Sequence, residues 1–160
     1  VGMPAVAKNV FTVGSVNDFV AGVADPSARS TFSGQGPCGD GRWKPNVVAP
    51  GSLIESVEAH TNGYTAKQGT SMASPHVAGV ALQLVDHYSW LRYQPERIAS
   101  LLMASATPRQ NALLVNESDP HLDTFGTGRV NVHRAHFTNS DWDWTNWAFE
   151  TSGSGWNGHS

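Results

Sequence analysis

The sequence predicts an α/β fold, in which helices pack against a parallel sheet. Two short segments of β-branched and apolar residues, at 10–16 and 47–49, have the character of strands buried inside such a sheet. A charge-free helical segment and a second, amphipathic one follow them along the chain. Strands and helices separated by long loops are typical of a layered α/β sandwich.

The first half of the chain is expected to supply the strands. Val10–Val16 is apolar on both faces, and a long loop rich in Gly and Pro separates it from the second strand. That strand, Val47–Ala49, is ended by Pro50-Gly51. Between Leu53 and Lys67, two short segments flank Asn62-Gly63, a pair that favours a hairpin turn.

The segment from Gln68 to Val85 is predicted to be a central helix. Its 18 residues include no Lys, Arg, Asp or Glu, and its apolar residues fall on every face. A helix that is apolar all round is expected in the centre of a domain. Pro75 is compatible with this helix because few intrahelical hydrogen bonds exist near the N-terminus.

A second helix is predicted from Pro95 to about Ala106. Pro95 suits the first helical position, and the three apolar residues Ile98, Leu101 and Leu102 form one stripe. A single stripe indicates a surface helix with one face on the core. After it, Gly126–Val132 is expected to form a turn that leads into a short strand or loop.

Composition excludes several classes of function. The 160 residues carry a net charge of −3 with no run of Lys or Arg, so there is no electrostatic case for binding nucleic acid or an anionic membrane. No segment is long and apolar enough to predict a transmembrane span. Cys38 is the single cysteine, which excludes an internal disulfide and a cysteine-based zinc site.

Ser71 stands at the predicted N-terminus of the central helix. One interpretation is that it caps the helix, as serine often does. The other is that it is a nucleophile, because the backbone N–H groups and the dipole of a helix start stabilise negative charge on a substrate oxygen. Position alone leaves both interpretations open.

The residues around Ser71 resemble a known family. Gly69–Gly79 reads GTSMASPHVAG, which is similar to the nucleophile signature of the subtilisin-like serine proteases, the subtilases. The resemblance extends over residues 1 to 137 in the family's order. The other segments that carry it are Val1–Ala5, Lys8–Gly14, Phe32–Pro37, Asp40–Gly51 and Thr124–Val132.

This resemblance implies the C-terminal part of a subtilisin-like catalytic domain at residues 1–137. The implied fold is a three-layer α/β sandwich with a mostly parallel sheet, of which only the C-terminal portion is present. Residues 138–160 hold four of the six Trp residues and are expected to be a tail, a linker or the start of a truncated downstream segment.

The resemblance also implies a chemistry. Ser71 would be the acyl-forming nucleophile of a serine endopeptidase, and Gly2 would lie at the base of the pocket for the residue before the cleaved bond. The family's Asp, His and oxyanion-hole Asn align upstream of Val1, so the chain alone is expected to be inactive. Its partners would be a polypeptide substrate and the N-terminal half of the same catalytic domain.

Further expectations come from the family alone. A cis peptide bond is expected at Met3-Pro4, and the chemistry requires no cofactor. Structural calcium is an expectation for the longer protein, although no acidic cluster here assigns a site. The resemblance implies an extracellular or periplasmic location, although this chain contains no signal-peptide pattern.

Substitutes for the upstream groups can be sought within the chain. Asp40, His60 and Ser71 follow the family's order, but Asp40 belongs to the loop motif and His60 to the predicted hairpin. His76 aligns with a structural position and is expected to be buried and hydrogen-bonded. His133 and His136 lack a third ligand, so they are interpreted as a surface pair.

A rival hypothesis needs no catalysis. The chain could serve as a subtilase-like scaffold or binding module that uses its Trp-rich tail, since exposed Trp side chains stack on sugars and partner proteins. The intact motif around Ser71 favours the protease.

Overall fold

The computed structural model describes residues 1–18, 28–108 and 120–137, which form an α/β arrangement. The predicted Trp-rich tail at 138–160 lies outside the described residues, so the domain boundary at 137 stays a prediction. The strands are β1 (Val13–Val16), β2 (Val47–Pro50), β3 (Ile54–Val57) and β4 (Tyr64–Lys67), and the helices are α1 (Thr70–His87), α2 (Pro95–Ser105), α3 (Pro120–Phe125) and α4 (Val132–Phe137), with a 3₁₀ turn at Ser89–Leu91.

The parallel pairing of β1 and β2 confirms the predicted parallel sheet. Val13 lies opposite Val47 and Val16 opposite Pro50. Most residues of both strands are buried, as their apolar, β-branched composition predicts. On the other side of β2, Arg129 forms a parallel bridge with Val48 and an antiparallel bridge with Thr107, so the predicted turn after residue 126 leads into a loop with two strand-like contacts.

The predicted hairpin is also present. β3 and β4 are antiparallel, with Val57 opposite Tyr64, and residues 58–63 connect them. The N–H of Glu58 donates to the carbonyl oxygen of Gly63 at 3.0 Å, which closes this loop. Asn62 and Gly63 therefore end a longer connection.

Helices α1 and α2 form the core with β1 and β2. α1 contributes Ala73, Val77 and Leu84 to this core. α2 begins at Pro95 in the first helical position and buries Leu101 and Leu102, with Ile98 partly buried beside them. The predicted apolar stripe and start of α2 are confirmed.

The prediction that α1 is buried on all faces is wrong for the described part of the chain. Ala78 is exposed, and the side chain of Leu82 is 71% exposed. The reason is that β1 and β2 cover one side of α1, whereas no described element covers Leu82. Lack of charge in a helix indicates faces suited to burial, but burial itself depends on what packs against each face.

Among the described residues, none of the helices has both the length and the apolar character that crossing a bilayer requires.

Candidate active site

Ser71 is the second residue of α1, and the residue that precedes the helix is Gly69. Gly69 has φ 152° and ψ 158°, and the helix start has no side-chain cap hydrogen bond. This φ is one that residues with a Cβ rarely adopt, which explains why glycine stands there. The interpretation of Ser71 as a helix cap is therefore wrong.

Two backbone hydrogen bonds fix the start of α1 at the carboxyl end of the sheet. The N–H of Gly69 donates to the carbonyl oxygen of Gly51 at 2.7 Å, and the N–H of Gly51 donates to that of Val16 at 3.0 Å. Val16 ends β1, and Gly51 directly follows β2. Ser71 consequently lies beside the carboxyl ends of parallel strands, where ligand sites in α/β folds are found.

The sequence pattern does not predict the role of Gly51 in positioning α1, because Pro50-Gly51 indicates only the end of a strand. A Cβ at Gly51 would lie 2.7 Å from the carbonyl oxygen of Gly69. Only a residue without a side chain permits this approach of strand end and helix start. The signal in the sequence was a glycine directly after a buried parallel strand.

Several polar groups at the start of α1 have no hydrogen-bond partner among the described residues. Its side chain is exposed, and within the described residues its hydroxyl forms no hydrogen bond. The N–H groups of Met72 and Ala73 donate to the carbonyl oxygen of Gly69, whereas those of Thr70 and Ser71 have no acceptor in the same part of the chain. The first turn contains no acidic residue, so the positive end of the helix dipole is not neutralised.

Asp40 and His60 are not joined to Ser71 by any hydrogen bond or ion pair among residues 1–18, 28–108 and 120–137. Asp40 instead accepts from Nε of Arg42 at 2.8 Å, and this hydrogen bond lowers the pKa of the Asp40 carboxyl. His60 is exposed in the hairpin loop with φ 63°. The structure gives no support to a catalytic triad internal to the chain.

His76 is exposed, so the prediction that it is buried is wrong. Its Nδ1 lies 2.7 Å from the carbonyl oxygen of Met72, one helical turn earlier, which confirms that the ring is hydrogen-bonded. It remains exposed because the described elements do not cover this side of α1.

His136 contacts His87 at the end of α1, with their ring centroids 5.1 Å apart. His133 is exposed, as expected of a surface residue, whereas His136 is half-buried at this contact between two helices. No group of three His, Cys, Asp or Glu residues suited to a metal ion occurs among the described residues.

The two N-terminal features expected from the resemblance lie in an exposed segment. Gly2 is exposed, and a Cβ placed there would meet nothing within 4 Å. The Met3-Pro4 bond is cis, as expected. Cys38 is buried.

Comparisons with known proteins show which proteins this chain resembles in sequence and fold. The model of the subtilase family matches residues 1–128. Pyrolysin of Pyrococcus furiosus is 37% identical over 107 residues, which are 65% of this chain and 8% of pyrolysin. Serine protease AprX of Bacillus subtilis is 29% identical over 149 residues, which are 84% of this chain and 31% of AprX.

A solved structure gives the same result for the fold. The structure of the Clostridium perfringens CspB protease superimposes with a TM-score of 0.67 and 31% identity, over 86% of this chain and 28% of that one. The chain therefore spans less than a third of the length of each of these three proteins.

Proposed function

Because the chain belongs to the subtilase family of serine proteases, we propose that Ser71 is the acyl-forming nucleophile of a serine endopeptidase. The observation that carries this proposal is the state of the groups at the start of α1. An exposed serine hydroxyl with no hydrogen-bond partner among the described residues lies beside its own free N–H. Free N–H groups occur at the start of any helix, but an attacking serine also requires an accessible hydroxyl beside them, and Ser71 has one.

The start of α1 suits the charge that develops in acyl transfer. Attack by the Ser71 oxygen on a peptide carbonyl places negative charge on the carbonyl oxygen. The N–H of Ser71 and the helix dipole are oriented before the reaction, so they can stabilise that oxygen without reorganisation. Loss of a single such donor typically costs about 3 kcal/mol of transition-state stabilisation.

The proton on the serine oxygen must be taken by a base, because a serine hydroxyl alone is a weak nucleophile. We propose that a His, oriented by an Asp, accepts it and then donates it to the leaving amine. Water next attacks the acyl-enzyme and releases the acid product, and the base returns the proton to Ser71. His60 is exposed in the hairpin loop with no hydrogen bond to Ser71, and the ring of His76 is hydrogen-bonded to the carbonyl oxygen of Met72. The catalytic His, its Asp and an oxyanion-hole Asn are therefore assigned to an upstream segment of the longer protein.

That segment is the proposed partner of the chain. It would supply the N-terminal half of the catalytic domain and cover the side of α1 on which Leu82 is exposed. The apolar character of this exposed side supports the proposal. On its own, the chain is expected to be inactive. In subtilisin, loss of the nucleophile or the histidine lowers kcat by about 10⁶-fold, a magnitude taken from that protease.

The proposed substrate is a polypeptide, and Gly2 is proposed to form the base of the pocket for the residue before the cleaved bond. The open space around Gly2 supports a pocket that admits a large side chain. The proposed location is extracellular or periplasmic, by resemblance to the family.

A fluorophosphonate probe tests the proposal on the native full-length protein. The probe reacts with an activated serine, and peptide mass mapping identifies the modified residue. We expect labelling at Ser71 that Ser71→Ala abolishes and Ser74→Ala preserves. Ser74 is an exposed serine of the same helix and serves as the matched control.

Labelling applied separately to cells and to culture medium or periplasmic extract tests the location as well. The proposal expects the labelled protein outside the cytoplasm. A folded, full-length protein whose Ser71 stays unlabelled would overturn the protease assignment and favour the scaffold hypothesis. Labelled protein confined to the cytoplasm would overturn the proposed location alone.

A further inference from the structure

A concave site lies at the opposite end of the sheet from Ser71. Residues 41–46 line this groove and lead directly into the amino end of β2, whereas the Ser71 helix is tied to the carboxyl end. Its volume of about 490 Å³ is within the range of small-molecule sites. The residues that matter here are Lys8, Arg42, Trp43, Lys44, Met103 and Leu122, all of which line it.

Lys44 is a buried cation without a carboxylate partner. The residue is 4% exposed, and its Nζ donates to the carbonyl oxygen of Val10 and, at 3.0 Å, to Oδ1 of Asn46. Both acceptors are neutral, and no carboxylate of the described residues forms an ion pair with Lys44. Burial lowers the pKa of this ammonium group. A lysine so buried is rare unless an anion compensates its charge.

The other charges at the groove are also mainly positive. Lys8 is exposed and makes no hydrogen bond or ion pair among the described residues. Arg42 is bound to Asp40 at 2.8 Å, so that pair is nearly neutral. Asp123 follows the lining residue Leu122 but does not itself line the groove, and its Oδ1 is buried without a hydrogen-bond partner among the described residues. The groove is thus locally cationic on a chain of net charge −3.

The walls of the groove are apolar, which favours an organic ligand over an inorganic anion. The side chain of Trp43 is 49% exposed, and Met103 and Leu122 are half-buried beside it. Aromatic and aliphatic walls bind the body of an organic ligand, while a few polar groups fix its orientation.

We propose that this groove binds an organic carboxylate that carries an apolar group, with Lys44 as the buried anchor for the carboxylate. Lys8 attracts the anion at the rim, and Trp43, Met103 and Leu122 contact the apolar body. This site is independent of the proposed nucleophile, because it lies at the other end of the strands.

Titration of the native full-length protein with a matched pair of probes tests the proposal. N-acetyl-L-tryptophan carries a carboxylate, and N-acetyl-L-tryptophanamide has the same body without the charge. We expect the acid to bind at least about tenfold more tightly in calorimetry, since only the acid pairs with Lys44. Inorganic phosphate should bind more weakly than the acid. Equal affinities for acid and amide, or phosphate binding as tight as the acid, would overturn the proposal.

Asn46→Asp supplies a variant that need not disturb the fold. The new carboxylate keeps an acceptor for the backbone N–H of Thr12, which donates to Oδ1 of Asn46 at 2.8 Å, and it lies within reach of the Lys44 ammonium. It then competes with the ligand, so the affinity for the acid should fall about tenfold while that for the amide is unchanged. Lys67→Gln, an exposed change on β4, is the control. A folded Asn46→Asp protein with full affinity for the acid would contradict the assignment.

Discussion

Gly69 is the residue on which the position of Ser71 most directly depends. Its φ of 152° lets the chain leave the Gly51 contact and enter the helix within two residues. A Cβ at this φ is strained whatever space surrounds it. The conformation of one backbone position therefore determines where the serine hydroxyl and its N–H are presented.

Gly69→Ala should destabilise the protein by about 1–3 kcal/mol and slow the labelling of Ser71. Gly79→Ala, within the same helix, is the control, because its Cβ would meet nothing within 4 Å and alanine favours a helix by about 0.5–1 kcal/mol. Thermal unfolding and the labelling rate measure both effects. If the two variants behave alike, the helix start does not depend on the Gly69 conformation.

Gly2→Val should change substrate preference without unfolding the protein, because the space around Gly2 is open. If Gly2 forms the base of the proposed pocket, kcat/KM for a large residue before the cleaved bond should fall about tenfold or more relative to a small one. Peptides that differ only at that residue provide the measurement. Gly39→Val is the matched control, since a Cβ there also meets nothing within 4 Å. A substrate preference that Gly2→Val leaves unchanged would show that Gly2 does not form the base of the pocket.

At the scale of elements, α1 joins the core to the proposed site. Ala73, Val77 and Leu84 fix one side of it against the sheet, while its first turn presents Ser71. The opposite side exposes Leu82 although the first 16 residues of this 18-residue helix carry no charge. That combination is the basis for proposing a covering segment.

Leu82→Arg should lower the free energy of unfolding of the full-length protein by about 2–4 kcal/mol, because a covered position would then hold an unpaired charge. Gln83→Arg, a change at the next exposed residue, should have a smaller effect, since a polar side chain is already tolerated there. Denaturant unfolding provides the comparison. Equal stabilities for the two variants would indicate that Leu82 is exposed in the full-length protein as well.

The elements themselves were predictable from the sequence because each depends on local pattern. The β-branched residues of β1 and β2, the Pro95 start of α2 and the uncharged α1 all specify their structure within a few neighbours. The burial of α1 and of His76 was not predictable in this way. It depends on which elements pack against each face, and a residue pattern does not contain that information.

For the candidate site too, the local sequence predicted some features, while others depend on contacts that exist only in the folded chain. The motif from Gly69 to His76 identified Ser71, but not the Gly51 contact that positions it, because residues 51 and 69 meet only in the folded chain. Lys44 and Asn46 belong to a segment that resembles the family, and nothing in that segment predicts that Lys44 is buried among neutral acceptors. The cationic groove therefore had no signal in the linear sequence.

At the scale of the whole molecule, the chain holds the proposed nucleophile at the edge of a small parallel sheet and spans less than a third of pyrolysin, AprX or CspB. We propose that an upstream segment supplies the base, its orienting carboxylate and one oxyanion donor. Activation of Ser71 should then be a property of the full-length protein. The isolated chain should hold the serine without the groups that activate it.

The most direct measurement compares the rate of fluorophosphonate labelling at Ser71 in the full-length protein and in residues 1–160 alone, with the fold of each verified by circular dichroism. We expect labelling of the full-length protein, abolished by Ser71→Ala, and no labelling of the isolated chain. Absence of label in a folded full-length protein would contradict the assignment of Ser71 as the nucleophile. Equal labelling of both would contradict the assignment of the activating groups to an upstream segment.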